Sequence, residues 1–249
     1  MNSHLMARGV YDLCRPPDGD PILLSSEVIM QSGRQLQHPL LCKDCDASLS
    51  RNGENWVLPL LATIEGAFPF FDILQEIPPE LVDGNSKLYA ASRNPEIDTS
   101  KLTHFAMGVF WKASVHSWSG SETTPLIDLG KYGESARTYL LGQSPFPQNI
   151  VLTIGASPPP VKMISFHNPY RGLQPECHNF LFYVPGLEFA LLVGRAAPAL
   201  SKQSCFATNP LHPILVCDLS STIKNVVRTG TKDAHRAKNI ARYMDKNRS

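Results

Sequence analysis

Residues 102–113, LTHFAMGVFWKA, carry the clearest secondary-structure signal of the sequence and decide its fold class. Apolar residues recur in this stretch at intervals of three and four, which is the spacing of one face of an α-helix. The pattern predicts an amphipathic helix within residues 100–118, with apolar positions at Leu102, Phe105, Ala106, Val109, Phe110 and Ala113. A helix of this kind must bury its apolar face against another element.

The sequence after this helix supplies such an element. A shorter helix is predicted at 133–141, with Gly142 in the position that ends it. Strand-length segments rich in Val, Ile, Leu and Phe follow at 149–155, 161–167, 179–184, 188–194 and 213–219. Residues 183–193, YVPGLEFALLV, are interpreted as two strands joined by a tight Pro185-Gly186 turn. Helices followed by strands predict an α+β fold, with an antiparallel sheet packed against the 100–118 helix.

Composition restricts the class of protein. The chain has 249 residues, of which 43% are hydrophobic, enough for one large domain with a sizeable core. No apolar run reaches the roughly 18 residues that a membrane span needs, and the start lacks a secretory signal pattern. The six cysteines are spread along the chain, unlike the dense framework of a small secreted protein. We therefore expect a cytoplasmic protein without a membrane partner.

Turn-forming residues predict how the chain is divided. Pro78, Pro79 and the turn at 83–85 indicate a boundary, so residues 1–77 form an N-terminal module. The first sixty residues are rich in Pro, Gly and polar groups, and no long helix or strand is expected there. Residues 78–219 then form the helix-plus-sheet domain, and residues 220–249 form a helical tail. A break near Gly230 predicts two short helices in that tail.

The tail is strongly basic. From Leu219 onward there are eight Lys or Arg and two Asp, a net charge of +6, although the whole chain carries only +1. On a helical wheel one arc of the tail holds Lys232, Arg236, Lys238, Arg242 and Lys246. Such a face can follow a phosphate backbone and gain affinity by releasing counterions, which predicts nucleic acid as a partner. The alternative is a solvated face on a terminal helix.

Cys42 and Cys45 are separated by two residues. This spacing lets two thiolates bind one tetrahedral Zn²⁺, because the turn between them brings the sulfurs to the separation that the metal needs. Two more ligands are required, and Cys14 and His38 are the nearest candidates in the sequence. The alternative is a pair of ordinary thiols at the start of a helix.

Two segments near the start resemble the HNH endonucleases, the ββα-metal nucleases built on a treble-clef zinc fold. They are SHLMARGVYD, residues 3–12, and LLCKDCDASLSRNGENW, residues 40–56. In that family a histidine ends the first strand of a hairpin, and a CxxCN knuckle opens the following helix. His4 matches the histidine, Cys42 and Cys45 match the knuckle, and Asp46 stands where Asn is usual. Residues 105–114 and 129–142 are similar to segments of bacterial proteins that have an HNH-like start.

The resemblance implies a treble-clef-like module with structural Zn²⁺ and a catalytic Mg²⁺ or other divalent ion. His4 would be the general base that takes a proton from the water attacking phosphorus. Asp46 and Glu54 are the carboxylates that could hold the divalent ion. Eight residues separate them, about 12 Å along a helix, so only one is predicted to bind it. Family members carry a further CxxC before the histidine, which this chain lacks, so it would be a truncated or degenerate member.

Together these features predict an HNH-like metal-dependent nuclease or nucleic-acid-binding protein. The strand-rich region would then serve specificity or form a homo-oligomer. The alternative belongs to a different class: a non-catalytic binding protein whose zinc knuckle is structural and whose sheet recognises a protein partner. An active nuclease predicts metal-dependent nicking of DNA that is lost when His4 is replaced.

Overall fold

A computed structural model describes residues 3–15, 22–24, 29–31, 35–118, 126–158, 163–167, 177–194 and 202–236. The helices are α1 (Arg8–Leu13), α2 (Lys43–Leu49), α3 (Asn55–Val57), α4 (Pro69–Gln75), α5 (Thr99–Val115), α6 (Tyr132–Leu140) and α7 (Ser220–Arg236). The strands are β1 (Ser3–His4), β2 (Ile22–Leu24), β3 (Ile29–Gln31), β4 (Gln37–His38), β5 (Leu81–Asp83), β6 (Ser86–Ala90), β7 (Ile150–Ala156), β8 (Ser165–His167), β9 (Cys177–Val184), β10 (Leu187–Gly194) and β11 (Pro213–Val216).

Seven of these strands form one sheet in the order β5-β6-β11-β7-β10-β9-β8. The fold is therefore α+β, as the sequence predicts. The prediction of an antiparallel sheet is wrong at one place, because β11 runs parallel to β7, with Leu215 opposite Gly155. β11 lies between β6 and β7, two strands from distant parts of the sequence. Its other neighbour, β6, is antiparallel to it.

α5 packs on one face of this sheet through aromatic side chains. Phe105 and Phe110 meet the ring of Phe182 in β9 edge to face, with ring centroids 6.2 and 4.8 Å apart. Phe182 stacks in turn on Phe189 of β10 at 4.6 Å. All four rings are buried, and such pairs contribute about 0.5–1.5 kcal/mol each beyond the area they bury. The predicted packing of this helix on the sheet is confirmed.

The glycine turns lie where the sequence predicts them. Gly142, just after α6, has φ +69°, and Gly186, between β9 and β10, has φ +96°. This left-handed conformation favours glycine because it has no Cβ to collide with the backbone. Gly186 also lies against Phe68, since a Cβ built there would stand 2.4 Å from the ring. The turn between β9 and β10 is therefore fixed by conformation and by packing.

The N-terminal part is more helical than the sequence predicts. α2 continues through a π-helical turn, Ser50–Glu54, into α3 and a 3-10 turn, Leu58–Leu60, so residues 43–60 form one helical run. The expectation that the first sixty residues contain no long element is wrong. The residues of this run have modest helix propensity, and it is held by packing against α5, which outweighs propensity.

The turn at 83–85 closes a hairpin of the main sheet. β5 pairs with β6, with Leu81 opposite Leu88. One continuous cluster of buried side chains contains Leu5 and Val57, from before the predicted boundary at residue 77, together with Phe182 from after it. The described residues before the predicted boundary therefore share a core with the helix-plus-sheet part of the chain.

α7 is one helix through Gly230, so the predicted break at that residue is wrong. A glycine inside a helix costs about 1 kcal/mol relative to alanine, which lowers helix stability without ending the helix. The first turns are anchored, because Leu219 and Ile223 are buried against Tyr183 of β9. In the part of the chain that the structure describes, no helix has the length and apolar character needed to cross a membrane.

Candidate functional site

The start of the described chain lies beside the segment that leads to the cysteine pair. β1 pairs with β4 in antiparallel register, which sets Ser3 opposite His38 and His4 opposite Gln37. The Leu5 backbone N–H continues the pairing by donating to the Leu36 carbonyl at 2.9 Å. β1 ends at His4, whose side chain is half-buried. The pairing thus brings the histidine of the HNH resemblance to the strand that precedes the knuckle, although β2 and β3 intervene between the two strands in sequence.

Cys42 and Cys45 open α2. Cys42 is the N-cap residue, and its Sγ accepts a hydrogen bond from the Cys45 backbone N–H at 3.4 Å. This bond, together with one from the Cys45 thiol, lowers the pKa of the Cys42 thiol. Donating its own proton to Cys42 raises the pKa of Cys45. Both thiols are free and Cys42 is exposed, so the pair could supply two of the four ligands of a tetrahedral zinc site.

The other predicted zinc ligands are not brought to this pair. Within the described ranges, no three His, Cys, Asp or Glu side chains are grouped so that they could hold a metal ion. Cys14 is instead the C-cap residue of α1. The four-ligand site predicted from Cys14, His38, Cys42 and Cys45 is therefore not assembled among the described residues.

Glu54, one of the predicted metal-binding carboxylates, is part of a buried ion pair. Lys112 Nζ of α5 donates to Glu54 Oε1 at 3.0 Å, and Ser50 Oγ donates to Oε2 at 3.0 Å. The Lys112 side chain is 4% exposed and that of Glu54 is 15% exposed. Both carboxylate oxygens have partners within the protein, so the contacts of Glu54 are those of a structural residue.

Asp46 lies in the first turn of α2, where its backbone N–H donates to the Cys42 carbonyl at 3.1 Å. A carboxylate in the first turn of a helix is favoured by the helix dipole. The predicted catalytic set of His4, Asp46 and Glu54 does not form a group able to hold a metal among the residues described. The structural reason is that the Glu54 carboxylate is already paired with Lys112 of α5 and with the Ser50 hydroxyl.

His104 of α5 lies near the Glu54 pair. Its Nε2 is 3.2 Å from the Leu140 carbonyl oxygen, which makes Nε2–H the donor. The Nδ1 atom is buried and has no hydrogen-bond partner within the described structure. Burial lowers the pKa of this histidine, while the Leu140 carbonyl and the charge of Glu54 act in the opposite direction. The interface between the π-helical turn, α5 and α6 thus contains a cluster of buried polar groups.

His38, predicted as a zinc ligand, stacks on a second histidine. Its ring lies on that of His116, with centroids 3.8 Å apart and planes inclined by 20°. His116 meets Trp118 edge to face at 5.3 Å, and Trp118 Nε1 donates to the Lys112 carbonyl at 2.8 Å. Burial lowers the pKa of His116, and the nearby charge of His38 lowers it further. Sequence reasoning did not join these two histidines, since 78 residues separate them in the chain.

A cleft of about 290 Å³ lies between the end of α5 and the start of α6. Trp111, Asp128, Glu134 and Arg137 are among its lining residues. Arg137 donates two hydrogen bonds to Glu134, at 2.8 and 2.6 Å, and both side chains are exposed.

Of the basic arc predicted for the tail, only the Lys232 side chain is described, and it is exposed on α7. Lys224 and Arg228, which the prediction did not include, are also exposed, and their spacing of four residues sets them along one side of the helix with Lys232. Arg236 belongs to α7, but its side chain is not among those described. The remaining residues of the predicted arc, Lys238, Arg242 and Lys246, lie outside the described residues.

Comparisons with protein-family models, curated proteins and solved structures find no significant match. The HNH resemblance therefore stays a prediction that depends on residues 3–12 and 40–56. Three separate features of the described structure bear on function. They are the β1–β4 pair, the cysteine pair at the start of α2, and the cationic side of α7.

Proposed function

We propose that this protein binds nucleic acid and that the cationic side of α7 supplies the electrostatic contact. The observation that carries the proposal is the row formed by Lys224, Arg228 and Lys232, which is exposed on a helix anchored to the sheet. An anchored helix holds its charges in a fixed register, and neutralising phosphates with such a row releases counterions. The residues before Leu219 carry a net charge of −5, so the positive charge is concentrated in the tail.

Removing this row is expected to weaken binding and to reduce its salt dependence. In a protein with Lys224→Ala, Arg228→Ala and Lys232→Ala combined, the slope of log K against log salt should fall by about 2 to 3, since each lost phosphate contact removes roughly 0.9. The slope is measured by fluorescence anisotropy with labelled DNA and RNA at salt concentrations between about 50 and 200 mM, where phosphate contacts change the affinity strongly. The matched control replaces three cations of other elements, Arg93, Lys101 and Lys202, and should leave the slope unchanged. Equal slopes for the two triple variants would refute the role of α7.

Metal-dependent hydrolysis is a second candidate, favoured by the register that holds His4 beside the strand leading to the knuckle. An imidazole with a pKa near neutrality can take a proton from an attacking water. The residues present fit only half of a zinc site, and the described carboxylates do not form a site for Mg²⁺.

Hydrolysis is tested by the nicking of supercoiled plasmid with and without Mg²⁺ or Mn²⁺. This second candidate predicts nicking with metal, reduced about 100-fold or more by His4→Ala, which is the usual contribution of a general base. His178→Ala, which removes an exposed histidine of β9, is the control and should nick normally. Nicking that survives in His4→Ala would exclude His4 as the base, and binding without any nicking would leave the binding function alone. Elemental analysis of the purified protein for zinc tests separately whether Cys42 and Cys45 bind that metal.

The non-catalytic alternative, recognition of a protein, is supported by one feature of the sheet. Leu81, Leu88 and Leu215 lie in one row across β5, β6 and β11, and Leu81 and Leu215 are 60% and 44% exposed. Exposed apolar side chains that adjoin on a sheet edge are characteristic of protein contacts. A protein that binds neither DNA nor RNA in the anisotropy experiment would favour this alternative.

A further inference from the structure

We propose that the exposed face of His38 is a stacking site for an unpaired nucleobase, so that the ligand of the region around the knuckle is a single-stranded nucleic acid. This inference rests on the proposed nucleic-acid binding and specifies the form of its ligand. The site consists of the stack formed by His38, His116 and Trp118, which we call the histidine platform. It joins β4 to the chain that leaves α5.

The inner part of the histidine platform is fixed. Trp118 is 6% exposed, and its indole N–H is held by the Lys112 carbonyl at 2.8 Å. His116 meets this ring at 5.3 Å with planes at 83°, and it is half-buried. The backbone of His38 is fixed by pairing with Ser3, which is buried. A base that stacks on His38 would therefore meet a ring whose position is set in advance, which limits the entropy lost on binding.

The outer part of the platform is open. His38 is exposed, although one of its faces lies against His116 at a centroid distance of 3.8 Å. Under this proposal the base stacks on the opposite face of the ring. An aromatic face of this size accepts any base, because every base presents a π-face, and the stacking is tolerant of sequence. Bases inside a duplex are already stacked on each other, so only an unpaired base can use this surface.

The geometry of the two imidazoles favours stacking over metal binding. The lone pairs of imidazole nitrogens lie in the plane of the ring. With planes inclined by only 20° and ring centroids 3.8 Å apart, the lone pairs of His38 and His116 lie in two nearly parallel planes, so they do not point at an ion between the rings. Under this proposal Lys43, which is exposed at the first position of α2 and follows His38 by five residues in the sequence, would contact the adjoining phosphate.

The test compares binding of a labelled single strand with binding of the matching duplex, in EDTA so that metal bridging does not contribute. His38→Ala is expected to weaken single-strand binding at least 5-fold, from the usual effect of removing an aromatic stacking partner. His38→Phe keeps a ring at this position and should bind within 2-fold of the wild type. His116→Ala should weaken single-strand binding as well, because it removes the support beneath His38. Duplex affinity should change less than 2-fold in all three variants.

His178→Ala provides the matched control, since His178 is exposed and lies parallel to Phe180 elsewhere on the sheet. Its single-strand affinity should equal that of the wild type. Single-strand affinity unchanged by His38→Ala would overturn the stacking site and leave the proposed nucleic-acid binding standing. A His38→Phe variant as weak as His38→Ala would also overturn it, because the contact would then depend on the nitrogens. If the wild type binds neither form, the proposed function itself fails.

Discussion

Replacing Lys112 with methionine is expected to lower the free energy of unfolding by about 3–5 kcal/mol. The reason is the charge that the substitution leaves behind. Lys112 is almost fully buried in α5 and is the cationic partner of Glu54, whose carboxylate is 15% exposed. Without the ammonium group, Glu54 retains only the hydroxyl of Ser50, and a buried carboxylate with one neutral partner is poorly compensated. Urea unfolding followed by circular dichroism measures the loss.

Two further variants separate the cost of a broken pair from that of lost packing. The double variant Glu54→Leu and Lys112→Met replaces both charges with apolar groups, so it should recover most of the stability lost in Lys112→Met. Arg137→Ala breaks the exposed pair with Glu134 and should change stability little, because exposed pairs are screened by solvent. A double variant no more stable than Lys112→Met would show that the ion pair is not the cause.

The same variants report on the role of Glu54. If this residue served only as a metal ligand, Glu54→Gln would reduce metal-dependent activity and leave stability unchanged. The contacts with Lys112 and Ser50 predict instead that the main effect of Glu54→Gln is a loss of stability. A normal unfolding curve for Glu54→Gln combined with lost nicking would restore the catalytic interpretation that the HNH resemblance implies.

The sequence predicts those elements whose signal is local. The period of apolar residues in α5, the Val- and Phe-rich strands, and the glycines that end α6 and form the β9–β10 turn all depend on residues close in the chain. The parallel β11–β7 pair has no such signal, because its register arises from contacts between distant segments. The helical run at 43–60 escapes prediction for a similar reason, since packing on α5 determines it.

The candidate site likewise has features that the sequence reveals and features that depend on distant contacts. The CxxC spacing and the histidine at the start are visible in the sequence, whereas the pairing of β1 with β4 joins segments more than thirty residues apart and has no local signal. The role of Glu54 is not visible, because its partner is 58 residues away. One signal could have indicated it: Lys112 is a charged residue within the buried part of an otherwise apolar helix, and such a charge needs a buried partner. The His38–His116 stack has no comparable signal.

The contact that positions the π-helical turn against α5 depends on Gly53, and Gly53→Ala should destabilise the protein by about 3 kcal/mol. A Cβ on Gly53 would stand 2.7 Å from the backbone N of Phe105 and 2.8 Å from its Cα. These atoms belong to a helix backbone that cannot rotate away, so the two elements would have to separate. Separation would also lengthen the hydrogen bond between Glu54, the next residue, and Lys112.

Gly108→Ala is the matched control, since it adds the same methyl group on the facing side of the same interface. A Cβ on Gly108 would meet only Leu49 Cδ2 at 3.5 Å, an ordinary contact with the end of a side chain. Alanine is preferred over glycine within a helix by about 0.5–1 kcal/mol, so this variant should be as stable as the wild type or more so. Urea midpoints of the two variants, measured side by side, decide between them. If Gly53→Ala unfolds at the wild-type midpoint, the approach of the π-helical turn to α5 is looser than described, and the buried pair of Glu54 and Lys112 loses its structural basis.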